Sequence, residues 1–232
     1  NKSFYRCRPK KRNFSKRYYN FVDSGINKNN KDKIKKWLIR SLLKKTFSGQ
    51  PDNVIRPIRE ILKANGTNEF PLDSIIDKFK GTNKSIQFTD EDIEEFLLKL
   101  KYGKSDTLST LMLLYPSLDF SNKFHEDHMY PKSKFTKTYL RKQGVPEEQL
   151  DWYIATVNDI SNLQLLAAQL NEEKLATDFD EWFNEQHPTD TDKIQYRTVN
   201  YLPDMEYSYE NYPKFIEDRK ALLKKQLSAV LL

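Results

Sequence analysis

Apolar positions recur at intervals of three and four along most of this chain, the spacing of amphipathic helices and not the alternation of half-buried strands. In "DKIKKWLIRSLLKKTFSG" Ile34, Trp37, Leu38 and Leu42 share one face, and Gly49 supplies a stop. Val54, Ile55, Ile58, Ile61 and Leu62 predict a second helix ending near "NG", with Pro57 early enough to be tolerated in its first turn. "FPLDSIIDKFKG" predicts a short third. Thr89, three residues before Asp92, resembles a capping box opening a helix that carries Ile93, Phe96, Leu97 and Leu100. Ser105 opens another, with Leu108, Leu111, Met112 and Tyr115 facing inward and Pro116 ending it.

The texture changes at residue 117. Residues 117–135 are short, polar and punctuated, and "GVPEEQLDWYIATV" is helical again. "ISNLQLL" is an apolar run of strand length, leading into "AAQLNEEKLATDFDEWFNE", which predicts one helix with Leu175, Phe179, Trp182 and Phe183 on its buried side. "KIQYRTVNYLPDMEYSYENYP" reads as irregular or a short hairpin, and a final helix carries Phe215, Ile216, Leu222, Leu223 and Leu227. The expected fold class is mainly α (α+β), a helical domain with a small strand-containing insert. Its expected parts are a basic arm (1–30) continuing from a missing N-terminal region, a helical subdomain (31–116), a ββα segment (117–190) and a C-terminal segment (191–232) packing on the helices.

Composition narrows the function classes. With 14 Phe and 13 Tyr the chain can fill a core, so general disorder is excluded. No apolar run approaches the roughly 18 residues that span a bilayer. There is no signal-peptide pattern, and a single cysteine, Cys7, offers no disulfide framework, so a cytoplasmic protein with no membrane partner is expected. The net charge of +6 is uneven: residues 1–50 hold 16 Lys and Arg against 2 acids, while the rest is net acidic. "YRCRPKKRNFSKRYYNF" interleaves aromatics with cations, and Lys33, Lys36, Arg40 and Lys44 form a basic stripe on the first predicted helix. Such a face suits a polyanion.

The candidate chemistry lies in "HEDHMYPKSK", which holds two of the three histidines. Asp127 and His128 end a short segment closed by Pro131; Asn162 precedes the apolar run; Asn171 and Lys174 sit one turn apart on the following helix. An Asp-His strand, a second strand and a helix carrying Asn form the layout of a ββα-metal site. Histidine is the side chain best poised to take a proton from water near neutral pH. Zinc would call for more His or Cys than the chain places nearby. Consecutive strand residues point to opposite faces, so Asp127 and His128 converge only if the strand bends or ends there. His187, in "QHP", reads as a solvent-facing helix end with no role.

"HEDHMYPKSKF" followed by "NDISNLQLLAAQLNEEK" resembles the HNH endonuclease motif, in the form found in the C-terminal domains of GmrSD-type modification-dependent restriction and phage-defence proteins. "IKKWLIRSLLKKTFSGQPDNVIRPIREIL" and "KYGKSDTLSTLMLLYP" resemble the helices preceding that site, so the likeness covers roughly residues 30–185. It implies Asp127 and Asn171 as ligands to Mg²⁺ or Mn²⁺, and His128 as the general base. Asn162 would tie the histidine loop, and His125 would be a supporting or phosphate-side residue. Lys174, and with it Lys132, Lys36 and Arg40, would meet DNA phosphates. It further implies a DNA-cleaving effector of a restriction or anti-phage protein, partnered by an N-terminal nucleotide-hydrolysing domain. The stretch from His128 to Asn162 departs from compact HNH motifs by containing a helix. Three other readings stay open at this level: a non-catalytic DNA-binding module with a vestigial HNH site, an RNA-directed nuclease, and a helical assembly scaffold.

Overall fold

A computed structural model describes residues 28–66 and 69–232. The predicted basic arm, with Cys7, lies outside the described residues except for its last three, which open the first helix. The chain divides into two compact units, one ending at Gln87 and the other running from Phe88 to Leu232. The helices predicted between Thr89 and Pro116 therefore belong with the strand-containing part, and the division falls earlier than 116.

The first unit holds α1 (Lys28–Leu43), α2 (Asp52–Ala64) and α3 (Leu72–Phe79). Val54, Ile58, Ile75, Phe79 and Ile86 form its core, with Ile34 and Trp37 packed against them. Leu38 and Leu42 are 46% and 62% exposed, so the buried stripe of α1 is rotated from the predicted one. Arg40 belongs to the buried side, at 6% exposure, and Lys36 is half-buried; burial lowers both pKa values. The predicted outward stripe thus loses Arg40 to the interior, because inward apolar positions of α1 are too few to claim the whole face. Pro57 sits in the second turn of α2 and not its first.

The second unit contains α4 (Asp90–Lys99), α5 (Ser105–Leu114), β1 (Phe124–His128), α6 (Lys137–Lys142), α7 (Leu150–Thr156), β2 (Leu163–Ala167), α8 (Ala168–Lys174), α9 (Phe179–Gln186), α10 (Asp190–Asn200) and α11 (Tyr212–Leu231). Short 3₁₀ turns cover Lys132–Lys134, Glu147–Gln149 and Ile160–Asn162. The fold is mainly α, with one two-stranded antiparallel sheet among the described residues. No helix of the described residues is long and apolar enough to cross a membrane.

Local chemistry sets these elements. The Thr89 hydroxyl accepts the Asp92 N–H at 3.1 Å and the Asp92 carboxylate accepts the Thr89 N–H at 3.0 Å, a closed capping box for α4. In α5 the inward face is Thr107, Thr110, Leu111 and Leu114, while Leu108 and Met112 are each 39% exposed. Threonine serves there because Thr107 and Thr110 donate their hydroxyls to the carbonyls of Lys101 and Asp106. Residues 193–200, expected to be irregular or part of a short hairpin, belong to α10, which Thr189 caps by accepting the Asp192 N–H at 3.2 Å. His187 is half-buried, its ring 4.2 Å from that of Tyr196. An aromatic core of Tyr130, Phe135, Tyr153, Phe179, Tyr209, Tyr212 and Phe215 joins the segment after β1 to α9 and α11.

The single helix predicted over 167–185 is two, α8 and α9, broken at Leu175. That residue is 78% exposed and adopts φ 47°, ψ −122°, a conformation that an L side chain strains to hold. Since Leu175 contributes almost no packing, Leu175→Gly is expected to raise stability by about 1 kcal/mol, net of the added freedom of the unfolded chain. Urea unfolding checks this; a loss would mean that the leucine is held by contacts that outweigh the strain.

Candidate catalytic and cation-binding site

β1 and β2 pair with Asp127 opposite Gln164, His125 opposite Leu166 and Phe124 opposite Ala167. The chain then turns directly from Ala167 into α8, so the helix begins where the sheet ends. Strand alternation gives His125 and Asp127 one face and Glu126 and His128 the other. Each face has its own partners.

On the face toward α8, two couples stand side by side. The Asn171 amide Nδ2 faces His125 Nδ1 at 3.1 Å. One turn along α8, Lys174 Nζ donates to both oxygens of Asp127, at 3.1 and 2.9 Å, and to the main-chain oxygen of His128 at 2.6 Å. Gln164 Nε2 donates to Asp127 Oδ2 at 2.8 Å, and Tyr196 donates its hydroxyl to Gln164 Oε1. Asp127 is 8% exposed and Lys174 1%. Burial lowers the Lys174 pKa, and the charge of Asp127 opposes that fall.

On the opposite face the His128 ring packs against Tyr102, with centroids 4.4 Å apart, and Nε2 lies 3.0 Å from Asn158 Oδ1. With that oxygen facing Nε2, the neutral ring carries its proton there and keeps the lone pair on Nδ1. Burial lowers the His128 pKa, with the Asn158 hydrogen bond and Asp127 opposing and Lys132 and Lys174 adding to the fall, so the imidazole is neutral at pH 7. The neighbours are set by backbone pairing: Tyr102 donates its N–H to Asn158 O at 2.8 Å, and Ile160 donates to Leu100 O at 3.1 Å. Beside them Lys101 and Asp159 form an ion pair.

The end of β1 is fixed by Asn162, which is fully buried. Its Oδ1 accepts the Tyr130 N–H at 3.0 Å, its Nδ2 donates to Tyr130 O and Val157 O at 3.0 and 2.9 Å, and its main-chain oxygen accepts the Met129 N–H at 2.8 Å. The two residues after His128 are thereby held on both edges. Lys132 follows Pro131 and is exposed.

A cleft of about 580 Å³ is lined by Tyr102, Lys104, Ser105, His125, Glu126 and Asn171, among others. Glu126 accepts the Gly103 N–H at 2.9 Å, which closes one wall. The His125–Asn171 couple therefore faces the cleft, and the Asp127–Lys174 couple lies behind it.

The candidate residues thus separate into groups. His125, Asp127, Asn171 and Lys174 come together between β1 and α8. His128 is adjacent in sequence but turned to the other face, with Lys132 nearby. Lys36 and Arg40 lie in the first unit. Sequence reasoning missed Asn158, Gln164 and Tyr102. Gln164 had a signal, a polar residue inside the apolar run "NLQLL"; Asn158 and Tyr102 had none.

Among the described residues no three His, Cys, Asp or Glu side chains gather as a ready metal cage. The donor set suits a hard cation nonetheless. Two Asp127 oxygens and one carbonyl oxygen converge on a single positive centre, now an ammonium, and hard oxygen ligands are what Mg²⁺ and Mn²⁺ prefer. Neither the scan against protein-family models nor the comparison with curated proteins finds a match to the chain.

Proposed function

We propose that the second unit is a metal-dependent DNA endonuclease domain of the HNH type, with Asp127 and Asn171 as oxygen ligands to Mg²⁺ or Mn²⁺ and His128 as the general base. The observation that supports this reading is the placing of four polar side chains between the strand pair and the helix after it. β1 pairs with β2 and α8 follows β2 directly, so that His125 and Asp127 meet Asn171 and Lys174 beside a cleft, while His128 ends the same strand with its ring on the opposite face.

Hydrolysing a phosphodiester requires removing a proton from the attacking water and relieving the negative charge that grows on phosphorus and the leaving 3′ oxygen. His128 takes the proton at Nδ1, since Asn158 holds the Nε2 edge and Tyr102 fixes the ring plane. Asn162 keeps the strand end from drifting, which fixes the main chain just after His128. A bound divalent cation supplies charge stabilisation at the phosphate. Lys132, exposed beyond Pro131, and Lys104 in the cleft wall are cations available to backbone phosphates. As the resemblance implies, such a domain acts as the cutting effector of a restriction or anti-phage protein, with its modification sensing carried elsewhere.

Supercoiled plasmid incubated with the protein in Mg²⁺, Mn²⁺ or EDTA tests the reading. Nicking or linearisation is expected with either metal and not with chelator. His128→Ala should lower the rate by about 10²–10⁴-fold while plasmid retention on native gels survives. Full cleavage by the variant would remove His128 as base, and retention without cleavage under all conditions would make this a DNA-binding module.

A further inference from the structure

Lysine ammonium groups almost always reach water along their flexible stems, and a fully buried one needs a specific reason. Lys174, with its side chain 1% exposed, turns inward at the last position of α8. Its Nζ fills a seat of three oxygens, two from Asp127 and the main-chain oxygen of His128, at 2.6 to 3.1 Å. The next residue, Leu175, holds φ 47° with its side chain in solvent. The helix therefore ends in a strained joint at the point where the ammonium is tucked away, and relaxation of that joint would let the lysine swing out.

A buried carboxylate with an ammonium already on both oxygens takes a divalent cation in the same seat only at a high cost, because two positive charges at contact distance in a poorly hydrated site repel strongly. Whatever divalent ion uses Asp127 must then take the lysine's place. We propose that Lys174 is a tethered counter-ion that occupies the cation seat of Asp127 and the His128 carbonyl oxygen in the metal-free protein. A divalent cation and the Lys174 ammonium exclude each other there. This rests on the reading of Asp127 as a cation ligand, and adds two things to it. The His128 main-chain oxygen becomes a third protein ligand, and Lys174 becomes a competitor of the metal before it can be a partner of substrate phosphate. Its burial explains how one lysine can sit beside the site without being available to an anion until the cation arrives.

The test uses the full chain and Mn²⁺. Acetylation of lysines, followed by mass spectrometry, reads whether Nζ is reachable. Without metal, Lys174 should label far more slowly than Lys99, whose side chain is 69% exposed. At saturating Mn²⁺ the Lys174 rate should rise about tenfold or more as the open form becomes the main population, with Lys99 unchanged. In Lys174→Met, which keeps the stem and removes the charge, Mn²⁺ measured by loss of its free-ion electron paramagnetic resonance signal should bind about tenfold more tightly than in the wild type. Mn²⁺ bound while Lys174 stays protected would overturn the proposal, as would equal or weaker binding by the variant. Either result, with Mg²⁺-dependent plasmid cleavage intact, leaves the nuclease reading standing. Failure of both proteins to bind Mn²⁺ would overturn the seat and the metal-ligand role of Asp127 together. Should the variant not fold, labelling of the wild type alone decides.

Discussion

Asp127→Ala is expected to destabilise the second unit by about 3–5 kcal/mol, and the double variant Asp127→Ala with Lys174→Met to recover most of that loss. The single substitution leaves an ammonium at 1% exposure with one carbonyl oxygen and the face of Trp182, 5.7 Å away, in place of a carboxylate. Hydrating it would require opening α8, and neutralising it would require loss of its proton in a site where burial already lowers the pKa. The double variant removes both charges and fills the stem volume with an apolar chain, a change that buried ion pairs commonly tolerate. Gln164 still loses an acceptor for its Nε2, so full recovery is not expected. Urea unfolding of the wild type, two single variants and double variant closes the cycle. Simple additivity would show that the pair is not coupled in solution, and with it the seat would lose its basis.

Much of this was legible in the sequence because its signals are local. Thr89 and Asp92 meet within one turn, and β2 lies in a brief, largely apolar run of strand length, so both followed from spacing. The strand, strand and helix order was visible, and with it the nearness of β1 to Asn171 and Lys174, but the expected pocket joined Asp127 and Asn171 to His128; the structure pairs Asp127 with Lys174 and Asn171 with His125, and turns His128 to the other face. What the sequence hid depends on pairings across long separations. Asn158 reaches His128 only because residues 100–102 pair with 158–160, a contact no periodicity announces. The break at Leu175 was missed because the residue continues an apolar stripe in sequence, while the backbone reverses there and gives the leucine to solvent. The inward turn of Lys174 was missed for a related reason: charge at a helix end reads as solvated until a buried carboxylate is known to wait opposite.

Arg219→Met is expected to destabilise the second unit by at least about 3 kcal/mol and to lower any cleavage rate further than the loss of folded protein explains. Arg219 is fully buried on α11, and its hydrogen-bond partners among the described residues include no carboxylate. Its Nη1 donates to Ser161 O at 2.7 Å and its Nη2 to Leu163 O at 2.7 Å, with Asn200 O at 3.3 Å from Nη2. The guanidinium thus gathers the carbonyls on both sides of Asn162, the residue that grips Met129 and Tyr130 after His128. Methionine fills the stem volume but strands those carbonyls without donors in a dry interior, and each such loss costs about 1–3 kcal/mol. Arg219→Lys should recover only part, because one ammonium cannot span carbonyls that a planar fork reaches together. The sequence did carry the sign: Phe215, Ile216, Arg219, Leu223 and Leu227 fall on one helical stripe, an arginine in a row of core positions. Urea unfolding of both variants, with plasmid cleavage compared at a temperature where each is folded, separates the two effects. Unchanged cleavage in a folded Arg219→Met protein would show that the clamp serves stability alone.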